Sequence, residues 1–459
     1  MTRATSLLAV LAALAGCAAP PSSAPVGVLP GGWAAPVEPG EAAPGQWWAR
    51  FARAELAALV SAASRDSHDL EAARARVRQA LAYREIAHGA RGPALDAGLS
   101  YSRQHRLAGS AETEGRTLGL SLDARYALDP WGRYRALERA ATAQWSAARF
   151  ARDDLRLALV SEVAAGWLEV GGLRERIAIA RLNLRNAEQV LASIASRWRA
   201  GATGDLELAQ QHALVAEQRR QLAALAQGED SARVRLAVLL GRPLAELRLA
   251  TPGLEGLDAP ALSPGAPVTL LSRRPDLAEA EARLAAAHAD IAAARAALLP
   301  GVTLGASLGA FGERPGDLLD GPFRRLGAEL LAPIFHAGRL RAEVRLSEAR
   351  QAEVLADYRG ALMRALGEVE ASLAALAGLQ AQLEAQREAV EAARRAFELA
   401  DRRYRAGAQS LLELLDAQRT LYQAQDLLSQ LRLQRLLASV ALYRALGGGW
   451  QAEVAAAAS

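Results

Sequence analysis

Apolar residues recur at helical spacing over residues 50–89 and 273–298, and after each stretch the period changes to two. Leu95, Ala97, Leu99 and Tyr101 alternate with Asp96, Gly98, Ser100 and Ser102, and Leu118, Leu120, Leu122, Ala124 and Tyr126 alternate with Gly119, Ser121, Asp123 and Arg125. Val302, Leu304, Ala306, Leu308 and Ala310 repeat the device, followed more weakly by Leu326, Ala328, Leu330 and Ala332. Loops rich in glycine and charge, near 106–115 and 312–322, separate the members of each pair, so the pattern predicts two hairpins, four strands in all. Beyond each hairpin lies a stretch that only glycines punctuate, because no proline falls between Pro130 and Pro243 or after Pro333. The breaks at Gly201 with Gly204, and at Gly407, predict helices over 133–200, 205–240, 339–405 and 411–446. The first would reach about 100 Å at 1.5 Å per residue and pack antiparallel on its return partner, as the third would on the fourth.

The chain also repeats itself. Trp198-Arg199-Ala200-Gly201 matches Tyr404-Arg405-Ala406-Gly407, 206 residues further on, and Glu162-Val163, Gly132-Arg133 and Glu207-Leu208 find Glu368-Val369, Gly338-Arg339 and Glu413-Leu414 at the same offset. Two equivalent repeats are expected, 47–250 and 268–447, joined by a proline- and glycine-rich linker at 251–267 and followed by a short tail at 448–459.

After the first twenty residues no stretch offers the ~18 uncharged apolar residues of a spanning helix. The predicted strands have the length and alternation of transmembrane β-strands, which satisfy their backbones in lipid only as a closed barrel. Known barrels need about eight strands or more, so several copies would have to contribute, with the small polar residues facing a water-filled lumen. The competing reading is a pair of soluble hairpins in a periplasmic domain.

Composition narrows the picture. The formal net charge is +4, but acids and bases are interleaved without a basic run, which speaks against a nucleic-acid partner. With aromatics at 5%, the long Ala/Leu/Arg/Glu/Gln stretches suit long packed helices. Arg3, the apolar run Leu7–Leu14 and Leu14-Ala15-Gly16-Cys17 resemble a bacterial lipoprotein signal peptide. That resemblance implies a leader at 1–16, acylation of Cys17 and a lipid-anchored tether at 17–46. Cys17 is the single cysteine, and Ala18 stands where an Asp would resemble an inner-membrane retention mark, so outer-membrane lipid is expected as the anchor's partner. Six scattered His without metal spacing, and no phosphate-cradling glycine motif, give no reason to expect a metal, a cofactor or an enzyme.

Leu128-Asp129-Pro130-Trp131-Gly132-Arg133, Arg273-Arg274-Pro275-Asp276-Leu277, Leu299-Pro300, Pro333-Ile334-Phe335 and Tyr404-Arg405-Ala406-Gly407 continuing into Leu414-Leu415-Asp416-Ala417-Gln418-Arg419 together resemble the TolC-type outer-membrane factors, in particular their lipoprotein branch, the NodT family. The resemblance covers essentially the whole mature chain. It implies a homotrimer in which three times four strands close a twelve-stranded barrel, continued by an α-helical tunnel with an equatorial belt formed partly by residues 241–272 and the C-terminus. It also implies an efflux function, as the passive exit duct for drugs, toxic compounds or metal ions, working with a periplasmic adaptor and an inner-membrane pump, a proton-driven one being expected. By the same resemblance the turns at Arg199, Gly201, Arg405 and Gly407 form the adaptor-docking periplasmic tip, and Tyr404 and Asp416 match the family's gate; Gln409 and Glu413 depart from it. Glu413, Asp416 and Arg419 lie three apart on one predicted helix, so threefold symmetry would turn each into a ring. A protein-secretion channel and a non-conducting envelope tether remain the alternatives.

Overall fold

In the computed structural model, which describes residues 30–37, 45–51, 53–105, 114–259 and 262–451, the offset of 206 becomes a structural repeat. The first repeat runs α1 (Ala54–Asp66), α2 (His68–Gly89), β1 (Ala94–His105), β2 (Glu114–Leu128), α3 (Arg133–Arg199) and α4 (Asp205–Leu239). The second runs α5 (Pro275–Ala296), β3 (Gly301–Gly312), β4 (Pro322–Leu331), α6 (Arg339–Arg405) and α7 (Leu411–Ala445). Helices α3 and α6 both hold 67 residues, and α4 and α7 both hold 35. The longer pair therefore reaches about 100 Å. Among the described residues no helix is long and apolar enough to cross a membrane. Cys17 and the leader lie outside the described residues.

Each long helix ends in the same way. The amides of Gly201 and Ala202 bond the carbonyls of Trp198 and Arg197 at 2.9 and 2.8 Å, and Gly407 and Ala408 repeat this on Tyr404 and Arg403 at 3.0 and 2.9 Å. Gly241 with Arg242 and Gly447 with Gly448 close α4 and α7 alike. These are Schellman motifs, which need a left-handed residue; Gly201, Gly241, Gly407 and Gly447 have φ of 71°, 65°, 73° and 84°.

One expectation is corrected. Residues 50–89 are not one helix but a 3-10 turn, Trp47–Phe51, followed by α1 and α2 with a break at Ser67. Ser67 is extended at ψ 123°; its amide completes α1 through the Ala63 carbonyl, and its hydroxyl accepts from the Leu70 amide at 3.4 Å to cap α2. The break makes room for the end of α4, since a Cβ on Gly241 would lie 2.8 Å from the Asp66 carbonyl oxygen. Gly447 meets the Arg273 carbonyl in the corresponding place. The fourth strand is also longer than its weak alternation implied, because pairing with β3 extends it back to Pro322.

The main core lies at mid-height, where Trp47, fully buried, stacks on Tyr443 with centroids 4.8 Å apart. Leu254 and Leu262 of the inter-repeat segment, with Leu247 and Leu270 that flank it, join it beside Trp167 and Leu168 of α3, forming a belt. Polar side chains pin the belt's backbone. Glu55 accepts from the Thr251 amide at 3.1 Å and from the Trp167 indole at 2.8 Å, while the Arg174 guanidinium donates to the carbonyls of Leu249 and Thr251 at 3.0 and 2.6 Å. Residues 30–37, within the segment read as a tether, lie against the same belt: the Trp33 indole donates to the Gly265 carbonyl at 2.7 Å, and the Ala34 and Ala35 amides donate to Glu370 at 2.7 and 2.9 Å.

Arg274 explains the Arg-Arg-Pro-Asp-Leu motif. Only 7% exposed, it grips Asp276 through two hydrogen bonds of 3.0 and 2.8 Å, pairs with Glu368 at 2.8 Å and donates to the Ala445 carbonyl at 3.0 Å, tying the start of α5 to the end of α7. Arg274, Asp276 and Glu368 line a cavity of about 100 Å³, which Asp154 also faces. Burial, with Asp276 adding to it, pushes the Asp154 carboxyl up against the opposing pull of Arg444 and Arg274.

A carboxyl whose pKa is raised in the folded state weakens the fold above that pKa, and the penalty fades as pH falls through it. Asp154→Asn therefore raises the unfolding free energy from urea titration at pH 7 by no more than about 1 kcal/mol, because water partly screens the site, and the gain disappears near pH 4. Gly407→Ala, with open space around its Cβ position, costs only the left-handed strain of about 1–2 kcal/mol. Gly447→Ala would put Cβ 1.8 Å from the Arg273 carbonyl oxygen and costs more than about 4 kcal/mol in the same assay.

Candidate functional site

The four strands form one antiparallel sheet in the order β1-β2-β3-β4. Register sorts the side chains into two unlike faces. Leu95, Ala124, Ala306 and Leu326 fall in one cross-strand row, Ala97, Leu122 and Leu308 in the next with Arg324 at its β4 end, and Leu99, Leu120, Ala310 and Pro322 in a third. The face is large and bare, with Leu99 74%, Leu308 59% and Leu326 83% exposed. The opposite face carries Asp96, Asp123, Ser307 and Arg325 in one row and Gly98, Ser121, Gly309 and Phe323 in another. There Asp123 accepts hydrogen bonds from Ser121 at 2.7 Å and from Ser307 at 2.6 Å. Strands β1 and β4 each pair on one side only, so the sheet has two open edges.

The neck between sheet and helices is built from two of the motifs. The Asp129 carboxylate accepts from the amides of Tyr134 and Arg135 at 3.2 and 3.0 Å and caps α3; burial raises its pKa, but these amides and the Arg135 charge outweigh that and hold it below the usual carboxylate value. The Trp131 indole donates to the Pro300 carbonyl at 2.7 Å, joining the first repeat to the start of β3. Past β4, Ile334 and Phe335 are 90% and 84% exposed.

At the far end of the long helices lie the turns singled out in the sequence. Arg199 donates to the Ala195 carbonyl of its own helix at 3.2 Å, and Arg405 pairs with Asp401 at 3.0 Å, both exposed at the tip beside Gly201 and Gly407. Tyr404 is buried in an apolar cluster with Ile194, Leu214 and Leu411, and burial pushes its hydroxyl up. Arg197, which the sequence reading did not single out, lies 4.9 Å over its ring. Glu413 is a capping residue, accepting from the Ser410 amide at 3.3 Å, as Glu207 does from the Gly204 amide at 2.6 Å in the first repeat. The 206-residue match of these glutamates was the signal for a shared cap.

Asp416 and Arg419 are exposed on α7, and among the described residues neither forms an ion pair within the chain. Tyr404 and Asp416 are not hydrogen bonded to each other. Arg419 opens onto a groove of about 470 Å³ between α4 and α7, lined also by Gln218, Gln221, Tyr422 and Gln430. The Arg176–Asp426 pair, with hydrogen bonds of 2.7 and 3.0 Å, closes its wall. Among the described residues no group of His, Cys, Asp and Glu is placed to hold a metal ion.

An open sheet with one apolar and one polar face, carried on helical hairpins about 100 Å long, is the architecture of an outer-membrane channel subunit. Residues 59–242 and 266–448 match the model of the outer membrane efflux protein family, and the chain belongs to that family. It is similar to the pyoverdine export outer membrane protein OpmQ of Pseudomonas aeruginosa, 47% identical over 89% of this chain and 88% of that protein, and of Pseudomonas putida, 45% identical over 92% and 93%. Among solved structures it resembles a membrane protein from Pseudomonas aeruginosa, with a TM-score of 0.87 and 31% identity over 93% of this chain and 99% of that one. The open state of the MtrE outer membrane channel of Neisseria gonorrhoeae follows the same fold, with a TM-score of 0.86 and 26% identity over 94% and 98%.

Proposed function

We propose that three copies of this chain form a passive outer-membrane duct through which a tripartite pump expels small molecules. The observation that carries this reading is the two-faced, four-stranded sheet whose β1 and β4 edges are both open. Copies joined edge to edge satisfy those backbones, turn the leucine face to lipid and enclose the face of Asp96, Asp123 and Arg325 around water. The cargo class follows the relatives: OpmQ is named for exporting pyoverdine, and a small molecule is the cargo we favour here. The duct performs no reaction; energy comes from an inner-membrane pump, proton-driven in this reading, through an adaptor that docks at Arg199, Gly201, Arg405 and Gly407.

In the same reading Cys17 carries the acyl anchor. The chain divides into a leader at 1–16, an anchored segment at 17–46, repeats at 47–250 and 268–447 about the linker 251–267, and a tail at 448–459. The gate is assigned to Asp416 and Arg419, whose exposed charges are available to neighbouring copies, with Tyr404 and Glu413 positioning the hairpin that bears them.

Planar-bilayer conductance tests the proposal. Wild-type protein is expected to pass small currents that rise several-fold in Asp416→Ala. Free conduction by wild type, unchanged in the variant, removes the gate assignment and leaves the duct. Silence from both in a verified, inserted preparation favours the non-conducting tether.

A further inference from the structure

Two phenylalanines stand on the polar face of the sheet. Phe311 and Phe323 stack with centroids 5.0 Å apart and planes 2° from parallel, and the Arg325 guanidinium lies 5.9 Å from the Phe323 ring centre on the same face. The sheet is cut to receive them. Gly119 lies beside Phe311 and Gly309 beside Phe323 across the register. A Cβ on Gly119 would come within 2.7 Å of the Phe311 ring, and one on Gly309 within 2.7 Å of the Phe323 ring. Alternation would put small polar residues at these places, as it does at Ser100, Ser121 and Ser307. Instead the column carries two aromatic rings on the water side, with Phe311 still 51% exposed.

We propose that this column is a transit site for planar aromatic cargo, repeated three times around the lumen, in which the cargo stacks on the exposed surface of Phe311. The inference rests on the duct reading above, which alone makes the polar face a lumen. Phe311 supplies the stacking surface, Phe323 fixes the plane of Phe311, and Arg325 holds Phe323 through its π face. Asp123, with Ser121 and Ser307, keeps the adjacent wall hydrated. Such a site holds cargo weakly and repeatedly, as a conduit requires.

The test uses full-length protein in lipid nanodiscs, with equilibrium dialysis of 2-naphthalenesulfonate against decahydronaphthalene-2-sulfonate, two monoanions of the same carbon skeleton that differ chiefly in aromaticity. Empty nanodiscs give the background, and bilayer conductance is recorded on the same preparations. The naphthalene probe is expected to bind saturably and more tightly than its saturated counterpart. Phe311→Leu, which keeps an apolar cover over Gly119 without a π face, weakens the naphthalene probe by about twofold to tenfold and leaves the saturated probe unchanged. Phe311→Trp restores the preference. Equal binding of the two probes, or no change in Phe311→Leu, overturns the site while persisting conductance keeps the duct. If wild type, verified as inserted, does not conduct, the duct reading falls and the site with it.

Discussion

The architecture depends on how a long helix is stopped. A helix leaves its last four carbonyls without partners, and here the ends of α3, α4, α6 and α7 answer them with a left-handed glycine followed by an amide that reaches back to the third residue from the end. Because the stops recur at the same offset, the 67-residue and 35-residue helices of the two repeats match in length. One extra residue in a single helix would turn everything beyond it by about 100° and shift it by about 1.5 Å. The tip turns would then lose their common level, and so would the hairpins at the other end. Gly241 and Gly447 extend this control to the belt, where each passes against a backbone carbonyl with no room for a side chain.

Much of this was legible in the sequence, because periodicity and punctuation report local geometry. The alternation at 95–101 and 118–126, the absence of proline after Pro130 and Pro333, and the glycines at 201 and 407 located strands and helices to within a few residues. Partners were less legible. The break at Ser67 does not disturb the apolar spacing of 50–89, and it is met by Gly241, far away in the chain. Nothing local announced that Trp131 would reach Pro300, or that Arg274 would be buried between Asp276, Glu368 and the end of α7. At the tip, spacing placed Glu413, Asp416 and Arg419 on one helix, but only coordinates distinguish a carboxylate bound to its own helix terminus from one facing outward.

The repeats agree in backbone and differ in side chain, and the differences fall at the two ends. Trp198 and Tyr404 occupy equivalent positions, yet Trp198 is 42% exposed and donates to Asp205 at 2.8 Å while Tyr404 is 7% exposed beneath Arg197. Asp205 itself answers to Leu411, a buried member of the Tyr404 cluster. At the neck, Asp129 caps its helix while the equivalent Phe335 projects outward. Packing within one chain explains the members turned inward. Those turned outward make sense only against something beyond it.

The sheet sharpens that point. In water, an open four-stranded sheet with Leu99, Leu308 and Leu326 largely bare would aggregate through its face and its edges. In hydrocarbon, the 12-residue β1 and the 10-residue β4 would each present a row of unpaired amides and carbonyls, at several kcal/mol per group. The isolated chain is thus unsuited to either solvent, although its belt encloses a buried apolar core. Pairing β4 of one copy with β1 of the next removes both edges in one step and gives the leucine face the solvent it fits. Barrel closure and membrane insertion are therefore one event energetically.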